Sequence, residues 1–296
     1  ARDGAAGRLG AWLGGGVGVA LALFLTIVVN LQPVQADIIF KQGLRYDEMR
    51  QWDGAIQIYT SATNLAPTED YYWLFLGRAM MERARVEQDG RVKAAIMNRT
   101  EQVLTKAQSL NPLNTDHTAN LGRFYRTWAE SETDATLRAG YIERSLAYYR
   151  HALELSPNSA QLIDELGQVY FIAGDDAKAL EYYEASLQVD DRYANTYFYI
   201  GDLKLRTQDY AAAEDYYNKG LALEPNSPAA LSAMAYALMQ QNRITEAIDA
   251  GATLIAIPEF ATSPLPLQSE VYRSVLPPSN VAVDLLASLA RRHSVR

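Results

Sequence analysis

Two patterns of apolar and polar positions divide the chain. From residue 9 to residue 31 no charged side chain occurs. As a helix this stretch is about 35 Å long at about 1.5 Å per residue, enough to span a bilayer with some tilt. Trp12 sits near one end, where interfacial aromatics collect. Pro33 stands just past the other, where it is expected to stop the helix. Beyond Asp37 the pattern changes to small, aromatic and apolar residues among polar ones, and the same set returns about every 34 positions.

The period is read from punctuating residues. Gly77, Gly122 and Gly167 each follow a proline (Pro67, Pro112, Pro157) by ten positions, and Gly201 follows Asp191 by ten. Ala179, Ala213 and Ala247 lie twenty-two positions after Pro157, Asp191 and Pro225. Tyr183 and Tyr217 follow the first two of these alanines by four. Gly43, Tyr46, Ala55, Tyr59 and Ala62 hold the same offsets before Pro67. The glycines leave room for close packing, Tyr46, Tyr125 and Tyr170 fill the space beside them, and the prolines break the chain between units.

This pattern resembles the tetratricopeptide repeat family. The resemblance implies an all-α fold, a right-handed α-solenoid of about six helix pairs, here preceded by one transmembrane helix. Six repeats tile residues 36–69, 70–114, 115–159, 160–193, 194–227 and 228–261, leaving residues 1–35 as anchor and linker. The second and third are longer than the others by eleven residues, close to three helical turns. They predict longer helices with turns near Asp89-Gly90 and residues 132–134. The sixth is degraded, with Ala235 in place of the glycine and Gly251 in place of the aromatic, as terminal repeats tend to be.

In that family a concave groove binds a protein or peptide, so the resemblance implies a site on the first helix of each repeat. The groove positions hold Tyr71, Leu74, Phe75 and Arg78 in the second repeat, and Asp116, Asn120, Arg123 and Arg126 in the third. The fourth offers Asp164, Glu165 and Gln168, and the fifth Asn195, Phe198, Tyr199 and Asp202. Arg78, Asn120 and Arg123 imitate part of the cluster with which some members grip a terminal carboxylate. The competing reading of these charges is a solvated surface of mutually paired groups.

Residues 9–31 are expected to join the chain to a membrane. Gly10, Gly14, Gly18 and Ala22 form a small-residue row by which another membrane subunit can approach. Arg2 and Arg8 precede the span and Asp37 follows it, which places the repeats outside the cytoplasm in a single-pass arrangement. A cleaved signal peptide is the rival reading, since Val34-Gln35-Ala36 resembles a cleavage site, but the apolar run is longer than such segments carry. The first residue is Ala, which fits a processed chain or a piece of something longer.

Composition narrows the function. With a net charge of −8 in 296 residues the chain makes a poor binder of nucleic acid. It has no cysteine and three well-separated histidines, His117, His151 and His293, so neither a thiolate nor a familiar metal motif is present. We expect no catalytic residues, no metal and no cofactor. The last segment, residues 262–296, breaks the period with Pro264, Pro266, Pro277 and Pro278. Ser279 is placed to cap a final helix carrying Val281, Leu285, Leu286 and Leu289 on one face.

The primary expectation is thus a membrane-anchored scaffold holding a protein partner on the extracytoplasmic side of a bacterial membrane. The junction Asn30-Leu31-Gln32-Pro33 before a tyrosine-rich array also looks like the tail of O-antigen ligase-like membrane proteins. That likeness implies a non-catalytic part of a glycan-transferring enzyme.

Overall fold

The computed structural model describes residues 17, 19–21, 24, 26–243, 245–247 and 249–250. Every regular element among them is helical. A π-helical stretch, Thr26–Leu31, runs into α1 (Gln32–Glu48). There follow α2 (Trp52–Leu65), α3 (Asp70–Val86), α4 (Gly90–Leu110), α5 (Thr115–Ser131) and α6 (Ala135–Leu155). The later helices are α7 (Ala160–Ala173), α8 (Asp176–Val189), α9 (Ala194–Arg206), α10 (Tyr210–Leu223) and α11 (Pro228–Gln240). The chain divides into two compact units, residues 1–155 and 156–296. In the first, α1 pairs with α2, α3 with α4 and α5 with α6, and successive pairs stack. In the second, α7 pairs with α8 and α9 with α10, and α11 packs on α10. Their short connections make the paired helices antiparallel.

Pro33 does not end the helical path. It occupies the first turn of α1 directly after the π-helical stretch. A proline is tolerated there because its missing N–H lies among those that the first turn leaves unpaired.

The pairs are closed by two kinds of turn. In the four short repeats a residue with left-handed backbone stands at the same place: Arg50 (φ 54), Gly174 (φ 82), Gln208 (φ 60) and Asn242 (φ 61). Around each, the same two hydrogen bonds recur. Gln51 N reaches Tyr46 O, Asp175 N reaches Tyr170 O, Asp209 N reaches Lys204 O and Arg243 N reaches Leu238 O, each with a shorter bond nested inside. This is the six-to-one closure of a helix C-terminus, and it favours glycine because a Cβ is strained at positive φ. We expect Gln208→Gly to raise stability by about 0.5–1 kcal/mol, because the relief of left-handed strain exceeds the entropy that glycine adds to the unfolded chain. A urea titration that shows no gain, or a loss, contradicts this.

Repeats two and three close differently. Glu87 Oε1 accepts from the backbone N–H groups of Gln88 and Asp89, and Asp89 Oδ1 caps Arg91 and Val92. Forty-five positions on, Glu132 and Asp134 do the same to Thr133, Asp134, Thr136 and Leu137. The eleven extra residues lengthen both helices of each pair and end in these capped turns.

The core of each pair is a glycine facing a large side chain. A Cβ built on Gly167 would lie 2.7 Å from the Tyr183 ring. On Gly201 it would lie 2.7 Å from Tyr217, and on Gly122 2.9 Å from Tyr149. Gly43 meets Tyr59 in the same way, and in the second repeat Leu104 replaces the tyrosine over Gly77. These tyrosines are fully buried. They, and not Tyr46, Tyr125 and Tyr170, fill the room that the glycines leave. Tyr46 instead lies on Gly54, Tyr125 stacks on Tyr148 at 5.6 Å, and Tyr170 on Tyr182 at 5.3 Å. The reason is helix geometry: the side chain that reaches a close crossing comes from the opposite helix.

Among the described residues no helix is long and apolar enough to cross a membrane. The expected span falls mostly outside them, with Gly10, Gly14, Gly18 and Ala22 all outside. Val17, Val19, Leu21, Phe24, Ile27 and Leu31 are described and exposed. Gly251 and the expected final helix from Ser279 also lie outside the described residues.

Candidate functional site

In the first unit the groove positions of α1 and α3 converge on an aromatic cup. Phe40 from α1 lies 5.1 Å from Tyr71, 4.9 Å from Tyr72 and 5.2 Å from Phe75, edge-on to the last. Tyr71 and Phe75 are 4.6 Å apart. The separations are those of attractive ring pairs. Helical spacing explains the alignment: Tyr71 and Phe75 are four apart, as are Phe75 and the buried Ala79. Phe40, Tyr72 and Ala79 are buried, Phe75 is half-buried, and Tyr71 is 48% exposed. The exposed Arg78 guanidinium sits 5.2 Å above the Phe75 ring.

An acid adjoins the cup through Tyr59, whose ring lies 5.4 Å from Phe40. Tyr59 OH donates to Asp47 Oδ2 at 2.7 Å, while Asp47 Oδ1 is buried without a hydrogen-bond partner. Burial pushes this carboxyl above its ordinary range and Glu82 adds to the effect, whereas the Tyr59 bond and the charge of Arg78 work against it. The burial of the ring and the same carboxylate hold the Tyr59 phenol far above its usual value.

On α5 the chain brings Asn120 and Arg123 together. Arg123 Nη1 donates to Asn120 Oδ1 at 2.9 Å, and Asn120 Nδ2 donates to the Asp116 carbonyl at 2.7 Å. Asn120 is buried, so its amide is engaged in its own helix and offers a ligand little surface. Arg126 is half-buried, with its Nε buried and without a partner. Below them, His117 Nε2 lies 2.7 Å from Asp70 Oδ2 and ties α5 to α3. Burial raises the Asp70 carboxyl, but the His117 and Asn111 hydrogen bonds outweigh it and hold the group below its ordinary range.

In the second unit the expected groove residues fare unevenly. Gln168, Asn195 and Tyr199 are half-buried. Asn195 Nδ2 donates to Tyr193 OH at 3.3 Å, and the Tyr199 ring lies 5.7 Å from Tyr183. Asp202 is exposed and accepts from Tyr217 OH at 2.6 Å. Three residues are not free surface. Phe198 and Glu165 are each 8% exposed, Phe198 presses its ring against Gly220 of α10, and Asp164 is 1% exposed and bonded to Thr196 of α9. All three sit at groove positions of their helices, but their side chains are buried. Phe198 therefore holds α9 to α10, and shortening it opens a cavity.

Phe40 and Asp47 escaped the sequence reading. Their signal is present in the sequence, because they hold in the first repeat the fifth and twelfth positions, which belong to the groove set of the later ones. Ser186 and Thr196, which meet Asp164, carry no such signal: Ser186 lies outside the groove positions, on α8, and Thr196 falls between the groove positions Asn195 and Phe198 of α9.

Two tetratricopeptide-repeat models match the chain, over residues 159–226 and 200–264. Nothing among the curated proteins matches it. Three solved structures share its fold. The thermophilic TPR protein TTC0263 of Thermus thermophilus is 18% identical, with a TM-score of 0.55 over 72% of this chain and 98% of that one. PilW, described as a widely conserved type IV pilus biogenesis factor, is 17% identical, with a TM-score of 0.56 over 77% and 95%. Pseudomonas aeruginosa pilF is 16% identical, with a TM-score of 0.52 over 82% and 98%. Residues 159–264 thus match tetratricopeptide-repeat models, in a chain whose all-α fold these three solved structures share.

Proposed function

We propose that the chain is a non-catalytic, membrane-anchored scaffold that holds a protein or peptide against its repeats on the extracytoplasmic side of a bacterial membrane. The observation that carries this reading is the aromatic cup, where a half-exposed tyrosine stands beside a half-buried phenylalanine capped by a guanidinium. Exposed aromatics and arginine are the side chains that anchor protein interfaces most often. Arg123 and Arg126 in the first unit, and Gln168, Asn195, Tyr199 and Asp202 in the second, are the further expected groove residues. The apolar run of residues 9–31 supports the anchor, and the two arginines before it support the orientation.

The test is capture of partners from membranes by the full chain, followed by titration of the one recovered. Tyr71→Ala combined with Arg78→Ala is expected to weaken that partner at least tenfold while leaving the helical content unchanged, because both side chains lie at the cup's rim. Unchanged affinity removes the cup from the binding site. Release of the chain into the soluble fraction by alkaline carbonate, which strips peripheral proteins, argues against the anchor. Recovery within a much larger polypeptide bearing further apolar spans favours the ligase-like tail.

A further inference from the structure

We propose that Asp164 is a carboxylic acid in the folded chain, and that its proton fastens α7, α8 and α9 to one another. Four oxygens form a line through this junction. Asp164 Oδ2 lies 2.7 Å from Thr196 Oγ1 of α9, which lies 3.3 Å from Ser186 Oγ of α8. Ser186 Oγ lies 3.0 Å from the Ala160 carbonyl at the start of α7. Asp164, Ser186 and Thr196 are each 1% exposed or less, so these three side chains are closed off from water.

The three contacts require three hydrogens. Each hydroxyl supplies one, and a carboxylate and a carbonyl supply none. With Asp164 ionised, Ser186 donates to Ala160 O and Thr196 donates to the carboxylate. The contact between the two hydroxyls is then left without a hydrogen. With Asp164 protonated the count closes: Asp164 donates to Thr196, Thr196 to Ser186 and Ser186 to the carbonyl. The chain of donors runs one way and ends on an acceptor that needs no hydrogen of its own.

The other carboxyl oxygen agrees. Asp164 Oδ1 is buried and accepts no hydrogen bond. That is a heavy cost for an ionised group and a light one for the C=O of a neutral acid. Among the described residues, the groups that act on it include no cation. Within the unit α8 and α9 face it with the hydroxyls of Ser186 and Thr196. The charge that acts on it is that of Glu165 on its own helix, which opposes ionisation. Burial above all pushes the carboxyl up to about 7, with Glu165 adding to the rise and the two hydroxyls resisting it.

The sign of the pH dependence follows. An aspartate in the unfolded chain titrates near 3.8, so folding takes up a proton at any pH between that value and about 7. The stabilisation is complete at the acid end of this window and lost as the pH rises through it. The experiment is a ¹³C-carboxyl titration of the full chain, joined to denaturant unfolding of wild type and Asp164→Asn across the same range. The Asp164 resonance is expected to titrate near neutrality. The folding equilibrium of the wild type should fall by up to about a thousandfold relative to Asp164→Asn between pH ~4 and pH ~8, as tenfold per pKa unit requires. The asparagine amide supplies the third hydrogen permanently, which is why it removes the dependence. A resonance that titrates near 4, or an Asp164→Asn profile parallel to that of the wild type, overturns the proposal. If the variant does not fold, the carboxyl titration of the unaltered chain decides.

Discussion

Truncating Tyr217 to alanine is expected to cost the second unit about 3–5 kcal/mol, the usual loss for a large aromatic removed from a closed core. Tyr217 is fully buried, its ring covers Gly201, and its hydroxyl donates to Asp202 at 2.6 Å. Removing the ring leaves a cavity bounded on one side by a glycine, which has no side chain to move into it. Tyr217→Phe keeps the ring and loses only the hydroxyl bond. Asp202 is exposed, so water can take over its lost partner, and a cost near ~1 kcal/mol is expected. Urea denaturation of both variants followed by circular dichroism separates the two contributions. If Ala and Phe cost the same, the ring is not what holds α9 to α10.

The second large effect is the reverse operation. Gly201→Val places a Cβ 2.7 Å from the Tyr217 ring, closer than carbon atoms approach, and adds two methyl groups beside it. The ring is confined on all sides, so the backbones of α9 and α10 must separate. A loss of about 3 kcal/mol is expected, less a few tenths recovered because valine is a better helix former than glycine. The two substitutions are coupled: the valine methyls enter the space that Tyr217→Ala vacates, so the double variant should lose clearly less than the sum of the singles. Additive losses would show that residue 201 and residue 217 do not share one joint.

The residues differ in how plainly they announced themselves. Gly43, Gly77, Gly122, Gly167 and Gly201 were legible because glycine inside a helical pattern is costly and their spacing recurs. Which ring they faced was not legible, since Tyr46 and Tyr59 both sit at helical spacing, and only the crossing of the two helices selects Tyr59. At the left-handed turn position Gly174 is a residue suited to positive φ, although the repeat pattern does not single it out, whereas Arg50 and Gln208 carry no trace of it. For the candidate site, Tyr71, Phe75 and Arg78 were readable as one helix face. Asp164 was readable as the same face of a later helix. Its depth was not, because depth depends on Thr196, a residue of the next repeat that comes to lie 2.7 Å away.

The capped turns at residues 87–89 and 132–134 have a practical consequence. Both hold an exposed residue, Gln88 or Thr133, between a backbone-binding glutamate and a capping aspartate, so the helices on either side are finished before the chain reaches it. Cysteine placed at these two points in a chain that has none of its own gives a pair of unique attachment sites for spectroscopic labels. A spin-label pair there measures the spacing of the second and third helix hairpins directly. Capture of a partner against the neighbouring cup can then be followed as a change in that distance.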